Sequence, residues 1–185
     1  MSPISSWRAL ISSLPETLSF SRFPIDSRTV FHVSELSFAF TNLKPVIPGH
    51  VLVSPRRVVD RLTSMTDQEV QDLFRTARQV GEAILLAHPH ADSLTVTVQD
   101  GPSAGQTVPH VHVHIMPRWP SDRFNTSRAG NDAVYTALNE SEKQISSQSK
   151  VDEESGIPDR TRESMIEEGQ QLRHIIEKII DRNSP

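Results

Sequence analysis

An α+β fold, a five-stranded, mainly antiparallel sheet with one long helix and a C-terminal helix, is what three features of this 185-residue sequence predict. Between Phe20 and Pro55, short runs rich in β-branched and aromatic residues alternate with turn residues. One long stretch then switches to helical periodicity. After it come two more strand-like runs, "SLTVTVQD" and "PHVHVHIMPR", joined by a loop of small residues.

In chain order, "TVFHVSELSFAFTN" reads as strand, turn and strand, and "KPVIPGHVLVSP" sets Pro48-Gly49 before an alternating strand. In "SMTDQEVQDLFRTARQVGEAILLAHPH", Val70, Leu73, Phe74, Ala77, Val80, Ile84 and Leu85 recur at helical spacing. Thr66 and Glu69 form a capping box at its start, and Pro89 marks its end. The two later runs are expected to pair as antiparallel strands. From Trp119 to about Arg160, Ser, Asn, Asp, Glu and Gln dominate, which predicts a mobile segment where Val134, Tyr135 and Leu138 form a short helix at most. From Arg162 to Asp181, Met165, Leu172, Ile175, Ile176, Ile179 and Ile180 mark one face of an amphipathic helix. The expected organisation is an N-terminal extension over 1–17, a core domain over 18–120, a flexible polar segment over 121–160 and a helix over 161–182 packed on the core.

Nineteen Lys and Arg against 23 Asp and Glu give a formal charge of -4, which argues against a general nucleic-acid surface. An anionic ligand would need local, directed donors. The sequence holds no cysteine, which excludes disulfides, thiolate nucleophiles and cysteine zinc sites. Nothing points to an oxidising compartment, so the expected home is the cytoplasm, with the nucleus as a second compartment and an organellar address in the first 20 residues left open. No apolar run approaches the roughly 20 residues of a membrane-spanning helix, so no membrane is expected as a partner.

The run "PHVHVHIMPR" sets His110, His112 and His114 at every second position. On a strand they share one face about 6 to 7 Å apart, with Val111, Val113 and Ile115 turned to the core. Three readings compete. Two histidines at i, i+2 can chelate zinc, but three in a straight row cannot all reach one tetrahedral centre. Three packing histidines would need a partner at every buried ring nitrogen. A catalytic surface draws support from the adjoining "GPSAGQTV", since glycine lets backbone N–H groups approach an anion. His32, His88, His90 and His174 stand alone and read as structural, whereas His50 follows Pro48-Gly49 at a strand start.

"GQTVPHVHVHIMPR" matches the His-φ-His-φ-His-φ-φ motif (φ apolar) of the histidine triad proteins. Within that superfamily "LSFAFTNLKPVIPGHVLVSP" and "VQDGPSAGQTVPHVHVHIMPR" resemble the fragile histidine triad branch, the dinucleoside polyphosphate hydrolases, and "FSRFPI" resembles fungal members. The resemblance covers roughly Phe20 to Arg118, with a weaker echo in "GNDAVYTALNE" and the last helix.

The resemblance implies hydrolysis of diadenosine triphosphate to AMP and ADP through a nucleotidyl-histidine. His112 would be the nucleophile, His110 and His114 would hold phosphate oxygens and nearby backbone, and Gln106 would bond the departing and incoming oxygens. His50 would support the triad from behind. Asn42 would read the ribose, Gln99 would reach the nucleotide, and Phe20 or Phe23 would pack on the base. The backbone of Gly105, Gln106, Thr107 and Val108 would cradle phosphate. Magnesium or manganese would ride on the substrate phosphates with no protein metal site, and the chain would be a homodimer. The alternatives are a nucleoside phosphoramidase, which carries serine where Gln106 stands, a dinucleotide-binding signalling module with slow turnover, and a zinc-binding protein.

Overall fold

A computed structural model describes residues 9–125, 132–147 and 160–182, with backbone alone over 142–147. The beginning of the N-terminal extension and the 126–131 and 148–159 parts of the polar segment lie outside the described residues. Seven strands form among the described residues: β1 (Thr17–Phe20), β2 (Phe23–Asp26), β3 (Val30–Val33), β4 (Ser37–Thr41), β5 (Val51–Pro55), β6 (Ser93–Thr97) and β7 (Val113–Arg118). β3 to β7 make one five-stranded sheet in the order β3-β4-β5-β7-β6, antiparallel at every pairing. β1 and β2 form a separate hairpin that the sequence reading did not foresee.

The long helix α1 (Asp67–Ala87) starts at the expected capping box, with Thr66 Oγ1 accepting the Glu69 N–H and the Glu69 carboxylate accepting the Thr66 N–H. Arg57 binds the same carboxylate through two nitrogens, at 2.7 Å each. Leu73, Ala77, Val80 and Ile84 face the sheet, while Phe74, one position off that stripe, is 44% exposed. The C-terminal helix, numbered α3 below, spans Arg162–Arg182 and sends Leu172, Ile176 and Ile179 into the same core. Burying each such side chain stabilises by about 2 kcal/mol. Arg173 donates to the Val30 carbonyl of edge strand β3, giving that strand a partner on its outer side.

Between them lies α2 (Ala133–Ser147), a 15-residue helix inside the segment expected to be flexible. Val134, Ala137 and Leu138 are buried against Val46, Ile47, Met116 and Phe124. Three apolar residues at i, i+3 and i+4 give a face barely over one turn long, too short to lift the composition of a polar segment, yet enough to dock the helix. Just before it, the buried Asp122 carboxylate gathers Arg118 and the N–H groups of Trp119, Phe124 and Asn125. Residues 121–125 are therefore folded onto the core as well. The extension is also engaged, for Leu10, Ile11 and Leu14 pack against the cluster of Phe20, Val30, Val33, Phe38 and Phe40.

Alternation gives the sheet two faces. Ala39, Val51, Val53, Val113 and Ile115 meet α1 and α3, while Phe38, Phe40 and Leu52 face the β1–β2 side. His114 pairs with Leu52 in register, so the histidines open on the face away from the long helix.

Candidate active site

The three histidines do not form a straight strand row. β7 begins only at Val113, and before it the ladder breaks: the Val111 N–H goes to Val59 O at 2.7 Å, and Ser54 Oγ donates to Val111 O at 2.7 Å. The bend brings the rings of His112 and His114 to 4.7 Å instead of 6 to 7 Å. Val111, Val113 and Ile115 do face the core, as the alternation predicts. All three histidines are buried, and backbone groups satisfy much of what burial demands.

Those partners assign the tautomers. Ser21 N–H donates to His110 Nδ1 at 3.0 Å, so His110 carries its proton on Nε2 and gives it to Pro55 O at 2.9 Å. Burial above all holds this ring's pKa down at about 4. Both its nitrogens are committed, and a three-histidine metal centre would have to break one of these bonds to recruit the ring. His112 Nδ1 lies 2.7 Å from His110 O, which can only accept, so its proton sits on Nδ1 and its lone pair on Nε2. Val46 N–H donates to His50 Nδ1 at 3.2 Å, leaving His50 Nε2–H to donate to His114 Nδ1 at 3.0 Å. His114 then holds its proton on Nε2. His50 thus stands behind the triad as expected, seated by the Pro48-Gly49 turn. Gly49 has φ of +82°, and a Cβ there would meet His88 Nε2 at 2.3 Å.

The glycine loop is more closed than the sequence suggests. Gly105 N–H and Gln106 N–H bond Pro102 O and Gly101 O, so these two amides do not contribute to the expected cradle. Gln106 Oε1 accepts the Gly101 N–H at 2.8 Å, and its Nε2 donates to Asp60 O at 2.9 Å. The side chain closes its own loop rather than facing His112. Val108 is buried among Phe20, Phe40 and Leu52, and Thr107 is partly exposed beside it. Gln99 Nε2 donates to Ala104 O and to Asn139 Oδ1, tying the loop to α2.

An apolar cavity of about 340 Å³ adjoins the triad, lined by Phe20, Phe23, Ile25, Phe40, Asn42 and Leu52 and closed by Arg160, Arg162 and Met165 of the C-terminal region. Phe20 links it to the chemistry, with ring centroids 5.3 Å from His110 and 5.2 Å from His112. Asn42 lines the cavity and is held from behind, its Oδ1 taking the Lys44 N–H at 3.1 Å and its Nδ2 lying 3.2 Å from His50 Nδ1. Phe20, Phe23 and Asn42 are thereby brought together, whereas Gln99 and Gln106 are turned into the loop.

The family model of the HIT domain matches residues 24–121. The chain belongs to the histidine triad family. It is 44% identical over 167 residues to the bifunctional bis(5'-adenosyl)-triphosphatase/adenylylsulfatase of Arabidopsis thaliana, covering 90% of this chain and 88% of that one. It is 47% identical over 134 residues to the asymmetrical bis(5'-nucleosyl)-tetraphosphatase of Schizosaccharomyces pombe, covering 72% and 70%. The crystal structure of the Caenorhabditis elegans NitFhit protein superposes with a TM-score of 0.64 at 40% identity, over 88% of this chain and 31% of that longer one. The fold of the histidine triad family is therefore the fold observed, and the match ends three residues beyond β7, just before Asp122.

Three contributors to this histidine triad site carry no local sequence signal. Ser21, at φ 54°, is a turn residue whose strained backbone aims its N–H at His110. Asn139 sits in the segment expected to be mobile. Arg160 precedes α3 yet lines the cavity, held to Leu43 O by its backbone N–H at 3.1 Å.

Proposed function

We propose that this chain hydrolyses dinucleoside triphosphates, diadenosine triphosphate foremost, to a nucleoside monophosphate and a nucleoside diphosphate. The observation that carries the reading is the bond from His112 Nδ1 to His110 O, 2.7 Å long. A backbone carbonyl cannot rotate away or take up a proton, so it fixes the ring orientation and places the lone pair on Nε2, as a nucleophile requires. One nucleoside occupies the cavity with its base against Phe20 and Phe23 and its ribose at Asn42, which sets the α-phosphorus beside His112.

Nε2 of His112 forms a bond to the α-phosphorus, the bond from phosphorus to the bridging oxygen breaks, and the nucleoside diphosphate departs with the electron pair. The imidazolium keeps its Nδ1–H on His110 O. His114 Nε2–H, aligned through His50 and Val46, donates to phosphate oxygens as they gain charge. Gln106 joins it once the substrate displaces its bond to Asp60 O. Water then attacks the same phosphorus, the P–N bond breaks, neutral His112 is restored and one proton is released. Two in-line displacements give net retention. Magnesium or manganese enters as part of the substrate, neutralising the phosphates.

We also propose a homodimer. Its support is edge strand β6, where Val96 is 49% exposed, a place where a second copy can continue the pairing. We propose a cytoplasmic and nuclear home, supported by the cysteine-free sequence.

Chromatography of products from triphosphate- and tetraphosphate-bridged diadenosine tests the activity. AMP and ADP in equal amounts from the triphosphate is the expected result. Cleavage of nucleoside phosphoramidates with the dinucleotides untouched would overturn it in favour of a phosphoramidase, and tight binding without turnover would favour a signalling module.

A further inference from the structure

We infer that Asn139, on α2, is a positioning residue for this reaction, setting the loop that faces the phosphate through Gln99; the inference rests on the hydrolase reading above. Gln99 Nε2 lies 3.1 Å from Ala104 O and 2.5 Å from Asn139 Oδ1. Ala104 O can only accept, so the Gln99 nitrogen faces the loop, and Asn139 must present its oxygen to the same NH2 group. Gly105 is packed directly under this pair: a Cβ there would lie 2.3 Å from Gln99 Nε2 and 2.4 Å from Asn139 Oδ1. The glycine's φ of +96° and the roof above it therefore specify one loop height.

The same helix braces the opposite wall. Ser141 Oγ donates to Lys44 O at 2.8 Å, and Val134 and Leu138 pack on Val46 and Ile47, within the turn that seats His50. α2 is thus a strut between the loop and the histidine relay, reaching the loop through Asn139. A loop set at the wrong height misplaces the Gln106 amide that joins the phosphate oxygens, which costs transition-state stabilisation more than ground-state binding.

The chemistry of the pair supplies the discriminating variant. Asn139→Asp keeps an oxygen acceptor for Gln99 Nε2, whereas Asn139→Ala removes it. Losing one such hydrogen bond corresponds to about a tenfold change. With the full chain and diadenosine triphosphate, Asn139→Ala is expected to lower kcat about tenfold with KM and thermal midpoint little changed, Asn139→Asp to recover most of the loss, and Asn139→Ala to have no further effect in a Gln99→Ala background. Backbone hydrogen exchange in the free protein should speed up at Gly105 and Gln106 in Asn139→Ala and not in Asn139→Asp. Wild-type kcat in Asn139→Ala, equal damage in both variants, or unchanged exchange at the loop would overturn the inference. A wild-type chain that cleaves no dinucleotide would sink the hydrolase reading alone, since loop exchange reports the positioning without turnover.

Discussion

The two walls of the site are held by different means. On the histidine wall, His110, His112 and His50 are oriented by backbone groups of the sheet and its turns: Ser21 N–H, Pro55 O, His110 O and Val46 N–H. On the loop wall, side-chain amides do the holding, with Gln106 on Asp60 O and Gln99 on Ala104 O and Asn139. Backbone partners cannot turn away without moving the main chain itself, whereas a glutamine amide exchanges one acceptor for another at little net cost, about 1 kcal/mol. The nucleophile is therefore preorganised, and the groups that must follow the moving charge are the ones free to rearrange.

That contrast ranks the substitutions. The largest effect is expected at His112. His112→Asn keeps a small polar side chain but removes the imidazole nucleophile, and turnover should fall by more than about a thousandfold with dinucleotide binding largely retained. Rapid-quench kinetics beside equilibrium binding checks both halves, and residual turnover above about a tenth of wild type would refute the nucleophile assignment. His50→Leu comes next. It breaks the relay that puts the His114 proton on Nε2, and kcat should drop by about 10 to 100-fold, as for loss of a supporting partner behind a ligating histidine. If His50→Leu lowered only the thermal midpoint, the relay would be structural alone.

On the loop wall, Gln106→Met keeps the length of the side chain and removes both amide bonds. About tenfold is expected, carried by kcat, because the substrate has to break the Asp60 bond even in the wild type. A loss as large as at His112 would erase the difference between the walls.

The last effect is on stability rather than turnover and is read by pH. His110 and the buried His32 both have pKa values lowered by burial to about 4, from 6.5 in the unfolded chain. Between those values the unfolded chain binds more protons than the folded one, so stability is full above pH 6.5 and falls as pH drops towards 4. Glu69 and Asp122, held down at about 2 by Arg57 and Arg118, contribute below that window. Denaturant midpoints measured from pH 7.5 to 4 should decline mainly between 6.5 and 4, and His32→Phe should flatten the decline. A flat wild-type profile would contradict the burial of neutral histidines.

The alternation of β4, β5 and β7, the Thr66–Glu69 capping box and the stripe on α1 were legible because each is a local pattern with one physical cause. The triad, His50 and the cavity residues Phe20, Phe23 and Asn42 lie together in the structure, and they were legible mostly through resemblance. Spacing alone predicted a straight row of histidines, since nothing local announces that Val111 will bond Val59 rather than a ladder partner. Gln106 and Gln99 were expected to face the nucleotide, and their loop bonds depend on where Asp60 and Asn139 arrive in space. α2 was read as a short helix at most because its contact face is three residues in a polar run, and Ser21 was missed because a hairpin turn carries no mark of the ring its amide serves.

The central claim is that a carbonyl-locked imidazole attacks phosphorus through Nε2. The direct test is to react the protein with diadenosine triphosphate labelled at the α-phosphorus, quench within milliseconds without acid, and locate the label by peptide mapping and phosphorus NMR. The account predicts protein-bound nucleoside monophosphate on Nε2 of His112, formed and lost at rates compatible with turnover. Full turnover with no bound label, or label on Nδ1 or on His110 or His114, would contradict it.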